Sequence, residues 1–259
     1  MSIRYGARPP EERRNREVEA VQRQIWTQAV TVVFETDPAL IADVLPPPLE
    51  PSNDATARLR IATVDMGTGL KPFGAGWFGV RCKHGSTEGE YALFMPMTTE
   101  QATIGGRETF GEPKKIADVS LQPDGSSVQA WIERMGFRAA EISGQLGDEE
   151  SGYEKDKIDF YFKLSPNPDG VGLDGDPPFV YCHRHESARS VRAIDGELKL
   201  MESPLDPMAD FPVQRIVSMQ YAEIAGTQRG EIVGHVPAES LLPYVHQRYD
   251  DLSVLGASK

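Results

Sequence analysis

Residues 127–146 read SVQAWIERMGFRAAEISGQL. Strand-forming residues alternate with polar ones on either side of one glycine, the period-two pattern of half-buried strands. The same texture recurs along the chain. It is seen at 28–35 (QAVTVVFE), 56–64 (TARLRIATV), 90–97, 115–121 and 157–164, then at 179–185, 188–194, 197–201 and 213–224. Turn signals separate these runs: PDG before the quoted stretch, an acidic run at 147–156 after it, and Asp195-Gly196, which reads as a hairpin turn. Many short strands at intervals of roughly 8–12 residues predict a closed or strongly curved antiparallel sheet.

Helices are expected mainly near the ends. Residues 11–24 (EERRNREVEAVQRQ) carry Glu and Arg at helical spacings, and 238–249 reads as a C-terminal helix. Asp37 and Pro38 suit the N-cap and first position of a helix that Pro46–Pro48 stops. The glycine-rich stretch 67–79 reads as a loop or hairpin, and its spacing does not match a phosphate-binding loop. The expected class is therefore α+β, a single domain over 25–259 built on a curved β-sheet or β-barrel, preceded by a charged segment at 1–24.

The 259 residues carry 27 Lys and Arg against 39 Asp and Glu, a net charge of -12. Such a balance disfavours sequence-independent binding of nucleic acid, which needs a basic stripe. Cys82 and Cys182 are too few for a disulfide framework, and no paired spacing suggests zinc. The opening residues lack the apolar core of a signal peptide, and no apolar run approaches the ~18 residues of a membrane span. A cytoplasmic protein without membrane or nucleic-acid partners is expected.

Chemistry concentrates at 105–119, GGRETFGEPKKIADV. Pro113 biases Glu112 toward extended geometry, so Lys114 enters a strand and Lys115 points to the opposite face. If Lys114 faces inward, an apolar interior would disfavour its ammonium form, and a neutral amine can attack a ketone. The plain alternative is a solvated lysine pair at a strand start.

The segment GRETFGEPKK resembles the active-site block of the acetoacetate decarboxylase family, which has Gly-Arg-Glu, four further residues and Pro-Lys-Lys. FETDPALIADVL (34–45) with the prolines after it, 90–97, FKLSPNPDG (162–170) and DFPVQRIV (210–217) resemble other family blocks in the same order. The resemblance implies a barrel-like α+β fold with a buried cavity, homo-oligomeric assembly and Schiff-base chemistry on Lys114 without metal or cofactor. Family lysines of this kind are activated by desolvation or a neighbouring cation.

The resemblance also marks a departure. The family's first-strand arginine falls near Thr27 and an upstream glutamate near Leu59. The loop carboxylate is missing, since no Asp or Glu lies between Met66 and Thr87. This favours a member resembling pyruvate aldolase-dehydratases over an acetoacetate decarboxylase, with a small keto acid and an aldehyde as partners. A non-catalytic ligand-binding barrel is the reading from another class.

Supporting roles follow by residue type. Arg107 suits a substrate carboxylate or an ion pair with Glu108, and Glu108 and Glu112 are candidate proton shuttles. Tyr221 is a candidate proton donor for dehydration. Lys115 would add positive charge against the acidic whole, while Trp77, Phe78, Phe94 and Met97 would line and dry the pocket. His183 and His185 share one strand face and offer a cupin-like metal reading, which two alternating histidines do not establish.

Overall fold

The computed structural model describes residues 5–7, 25–67, 69 and 71–255. The helix expected at 11–24 lies outside these residues. Among them, twelve strands join in one sheet. In chain order they are β1 (Thr27–Glu35), β2 (Glu50–Pro51), β3 (Thr56–Val64), β4 (Phe73–His84), β5 (Thr87–Met97) and β6 (Lys114–Ile116). There follow β7 (Asp118–Asp124), β8 (Ser127–Arg134), β9 (Phe137–Glu150), β10 (Tyr153–Phe162), β11 (Pro178–Leu200) and β12 (Arg215–His235). Helices α1 (Pro38–Val44), α2 (Glu100–Phe110) and α3 (Ala238–Leu241) are interspersed.

Seven strands close a ring in the order β10-β5-β4-β3-β1-β12-β11, with β11 pairing back to β10. Closure removes the exposed edges that an open sheet would present. The N-terminal part of β11 pairs with β10 as far as Ala188, and its C-terminal part pairs with β9 from Val191. The long strand thus carries the sheet out of the barrel into β9-β8-β7. Most pairings are antiparallel; β5 pairs in parallel with both β10 and β6.

Period two sorts the side chains. Val30, Val32 and Phe34 of β1, Leu59 and Ile61 of β3 and Phe78 of β4 enter the main core with Val119, Ile132 and Ile142 from β7, β8 and β9. The alternate residues of the barrel strands, among them Arg58, Arg60, Ala62 and Trp77, border a cavity instead. α1 forms as its sequence predicts, with the Asp37 carboxylate accepting from the Ala39 N–H at 2.8 Å.

Several local expectations are corrected. Residues 73–79 are strand rather than loop, because glycine there permits close contact between strands. A Cβ at Gly79 would lie 2.1 Å from the Tyr91 carbonyl oxygen. Asp195 and Gly196 do not turn; they pair with Gln145 and Gly144 inside β11. The acidic run at 147–156 is mostly the end of β9 and the start of β10. The C-terminal helix is short, passing into a 3-10 turn at Leu242–Gln247 with a proline in its first turn. α2 has no expected counterpart, since Gly105 and Gly106 weaken its helical pattern.

Candidate active site

Every strand of the ring contributes to one cavity of about 270 Å³, so the cavity is the barrel lumen. The motif reaches it through α2. The helix ends at Gly111, in the left-handed region at φ 84°, with its N–H bonded to the Arg107 carbonyl at 3.1 Å. The chain then turns through Pro113 into β6, where Lys114, Lys115 and Ile116 pair with Met95, Pro96 and Met97. Two arginines hold this turn by its carbonyls. Arg107 donates to the Lys114 oxygen at 3.0 Å, and Arg248 donates to the oxygens of Gly111 at 2.7 Å and Glu112 at 3.2 Å.

Lys114 enters the lumen and Lys115 points away, as strand alternation requires. The Lys115 ammonium lies 3.1 Å from Asp206 and 2.9 Å from Asp250, and Arg134 pairs with the same two carboxylates. Lys115 therefore anchors β6 and contributes no charge to the cavity.

The Lys114 Nζ lies 2.7 Å from Glu112 Oε2, and Arg184 Nη2 donates to Glu112 Oε1 at 2.8 Å. Burial alone would raise the Glu112 carboxyl, but Lys114 and Arg184 outweigh it and hold it below the usual carboxylate range. Arg184 is fixed in turn by Asp159, which pairs with its Nε, while Tyr161 donates to the same Asp159 oxygen at 3.0 Å. Burial, reinforced by Asp159, pushes the Tyr161 hydroxyl well above its ordinary value, so it remains a donor. The surroundings of Lys114 are thus charged and hydrogen-bonded, not the apolar interior that its sequence suggests.

Gly106 makes this arrangement possible. A Cβ there would lie 1.9 Å from Glu112 Oε2 and 2.6 Å from the Lys114 Nζ. The remaining walls are mixed. Trp77, Met95 and Met97 are buried on one side, with the Arg58 guanidinium 3.7 Å from the Trp77 ring centre. Of the lumen arginines, Arg58 is bidentate to Glu90 at 2.8 and 2.6 Å, and Arg60 is bidentate to Glu186 at 2.5 and 3.0 Å.

Of the residues singled out in the sequence, Lys114, Glu112, Trp77 and Met97 line the lumen. The others do not. Arg107 supports the backbone instead of binding in the cavity, and Glu108 is exposed on α2. Phe78 packs edge-on against Phe211 at 5.3 Å, and Phe94 and Tyr221 belong to the same main core. Strand parity places Phe78 opposite Trp77. Tyr221 faces the core beside Val30.

Sequence reading missed Arg184 and Asp159, although period two carried the signal: Arg184 and Glu186 alternate with His183 and His185. His183 pairs with Glu231 at 3.2 Å and His185 with Asp156 at 2.8 Å. Among the described residues no group of three or more His, Cys, Asp and Glu side chains could hold a metal ion. Nor is any helix among them long and apolar enough to cross a membrane. Thr27 borders the lumen, while Leu59 faces the core between Arg58 and Arg60. Asp65, immediately before the acid-free stretch, also borders the cavity.

The family model described as acetoacetate decarboxylase (ADC) matches residues 7–236. An acetoacetate decarboxylase of Chromobacterium violaceum is 23% identical over 210 residues, covering 77% of this chain and 82% of the relative. Among solved structures, an acetoacetate decarboxylase of Legionella pneumophila superposes with TM-score 0.71 at 21% identity, over 82% of this chain and 86% of that one. The enduracididine biosynthesis enzyme MppR, complexed with pyruvate, superposes with TM-score 0.67 at 16% identity, over 81% and 89%.

Proposed function

The chain belongs to the acetoacetate decarboxylase family, and on that premise we propose that it is a Schiff-base lyase acting on a small keto acid through Lys114. The reaction favoured is aldol condensation of pyruvate with an aldehyde, followed by dehydration. The observation that carries this reading is the 2.7 Å contact between the Lys114 Nζ and Glu112 inside the lumen.

Glu112 can take a proton from the Lys114 ammonium across that contact, leaving an amine able to attack the keto carbon. The carbinolamine regains the proton on its hydroxyl and expels water, giving the iminium. Glu112 can then remove a proton from the carbon next to the iminium, which forms an enamine. The enamine carbon attacks the aldehyde carbon, and the aldehyde oxygen takes the proton as the new C–C bond forms. Loss of that hydroxyl as water, with a second α-proton, leaves an unsaturated iminium that hydrolysis releases. Arg184, braced by Asp159 and Tyr161, keeps Glu112 in place as its charge changes.

The acid-free stretch between Met66 and Thr87 favours this reaction over acetoacetate decarboxylation. MppR supports it by analogy of fold: that enzyme has been solved with pyruvate and with the condensation product of pyruvate and imidazole 4-carboxaldehyde. Product analysis separates the readings. Pyruvate with a panel of aldehydes should yield unsaturated keto acids, and acetoacetate should release no CO2 above the uncatalysed rate. Catalysed CO2 release would make the protein a β-keto acid decarboxylase. Ligand binding without turnover of either kind would make it a binding barrel.

A further inference from the structure

Among the described residues, five Lys and Arg side chains border the lumen: Arg58, Arg60, Lys114, Lys157 and Arg184. The three arginines are committed. Arg58 gives Nε and Nη2 to Glu90, and Arg60 gives Nε to Thr31 at 3.0 Å and both terminal nitrogens to Glu186. Arg184 gives Nε to Asp159 and Nη2 to Glu112. Lys114 is the proposed nucleophile. Lys157 differs from all four. Among the described residues its Nζ reaches only Glu186, at 3.5 Å, and that carboxylate already accepts two nitrogens of Arg60 and the Tyr153 hydroxyl at 2.8 Å.

We propose that Lys157 is the cation that receives the carboxylate of the keto acid, fixing the substrate so that its keto carbon faces Lys114. The inference rests on the Schiff-base reading and names the anchor that reading lacks now that Arg107 is seen to hold backbone. An ammonium is suited to the task because it can rotate three donors toward a new acceptor without breaking a bidentate pair. Its removal from Glu186 costs that carboxylate little, since Arg60 and Tyr153 remain on it.

The same setting makes the anchor sensitive to pH. Arg58 and Arg60 on β3, Glu90 on β5, Tyr153 and Asp159 on β10, and Arg184, His185 and Glu186 on β11 line the same cavity walls as Lys157. Burial first, then Arg58 and Arg60, push its ammonium down to about 7, against the partial opposition of Asp159 and Glu186. The ammonium is therefore present below neutrality and lost above it, and a carboxylate bound to it would shift the loss upward.

The test compares two carbonyl probes in borohydride trapping on Lys114: pyruvate, which carries a carboxylate, and acetone, which does not. Their ratio cancels what the two probes share in their reaction at Lys114. In the wild-type protein the preference for pyruvate should fall as pH rises through about 7, and Lys157→Met should lower it about tenfold at pH 6. Lys157→Arg, which keeps the charge, should retain more of the preference than Lys157→Met. A preference independent of pH in the wild type, or equal in wild type and Lys157→Met, overturns the anchor. Should Lys157→Met not fold, the wild-type pH series decides alone. Absence of any adduct on wild-type Lys114 with both probes would refute the Schiff-base reading instead, a distinguishable failure.

Discussion

At the level of residues, the chemistry turns on three side chains in contact: Lys114, Glu112 and Arg184. Lys114 was legible because a proline-lysine-lysine block at a strand start fixes which lysine shares a face with which neighbours. Glu112 was legible as a residue type two positions away, but not as a contact, because Gly111 and Pro113 obscure the direction of the turn. Arg184 was hidden by the histidines flanking it, which drew a metal reading to the opposite face of β11. Glu112→Gln keeps the shape of the site and removes the base, so the rate of reductive trapping with pyruvate should fall by about 10²-fold or more. Stopped-time trapping at saturating pyruvate measures this. A rate within a few-fold of wild type would show that another group moves the proton.

At the scale of elements, α2 and the turn after it matter more than their modest length suggests. The helix packs its Gly106 directly beneath the reacting pair, leaving no room for a methyl group. Gly106→Ala should therefore displace Lys114 or Glu112 and reduce trapping at least tenfold, because small misplacements at a reacting centre are costly. Gly105→Ala one position earlier meets open space and should leave trapping near wild type. Comparing the two variants by trapping rate and thermal melting separates loss of geometry from loss of helix. Sequence patterning found most barrel strands but cut β11 into three, with one break at Asp195-Gly196, which looks like a turn when its partners Gln145 and Gly144 are not known. It likewise read the start of β4 as a loop, because close approach between strands and flexible turns both favour glycine.

At the scale of the molecule, a net-negative protein encloses a lumen whose charges are paired across strands. Arg58–Glu90 joins β3 to β5, and Arg60–Glu186 joins β3 to β11. These pairs were invisible in sequence because their members lie far apart along the chain. Their burial makes removing one partner expensive: Arg58→Met should destabilise the fold by about 3 kcal/mol, read by urea unfolding at pH 7. The pair also sets a pH dependence. Although burial would raise the Glu90 carboxyl, Arg58 holds it down at about 2, against an ordinary value of 4.5. Its stabilisation is complete above about pH 4.5 and is lost as pH falls toward about 2, where the native carboxylate finally protonates. Urea midpoints across this range should fall more steeply with acid in wild type than in Arg58→Met.

Every proposed step depends on an imine at Lys114. The most direct measurement is borohydride reduction in the presence of labelled pyruvate, followed by proteolysis and mass mapping of the modified lysine. One reduced adduct is expected, on Lys114, absent from Lys114→Ala and from samples without borohydride. Label on Lys115 or Lys157 in place of Lys114, or no label at saturating pyruvate, would contradict it.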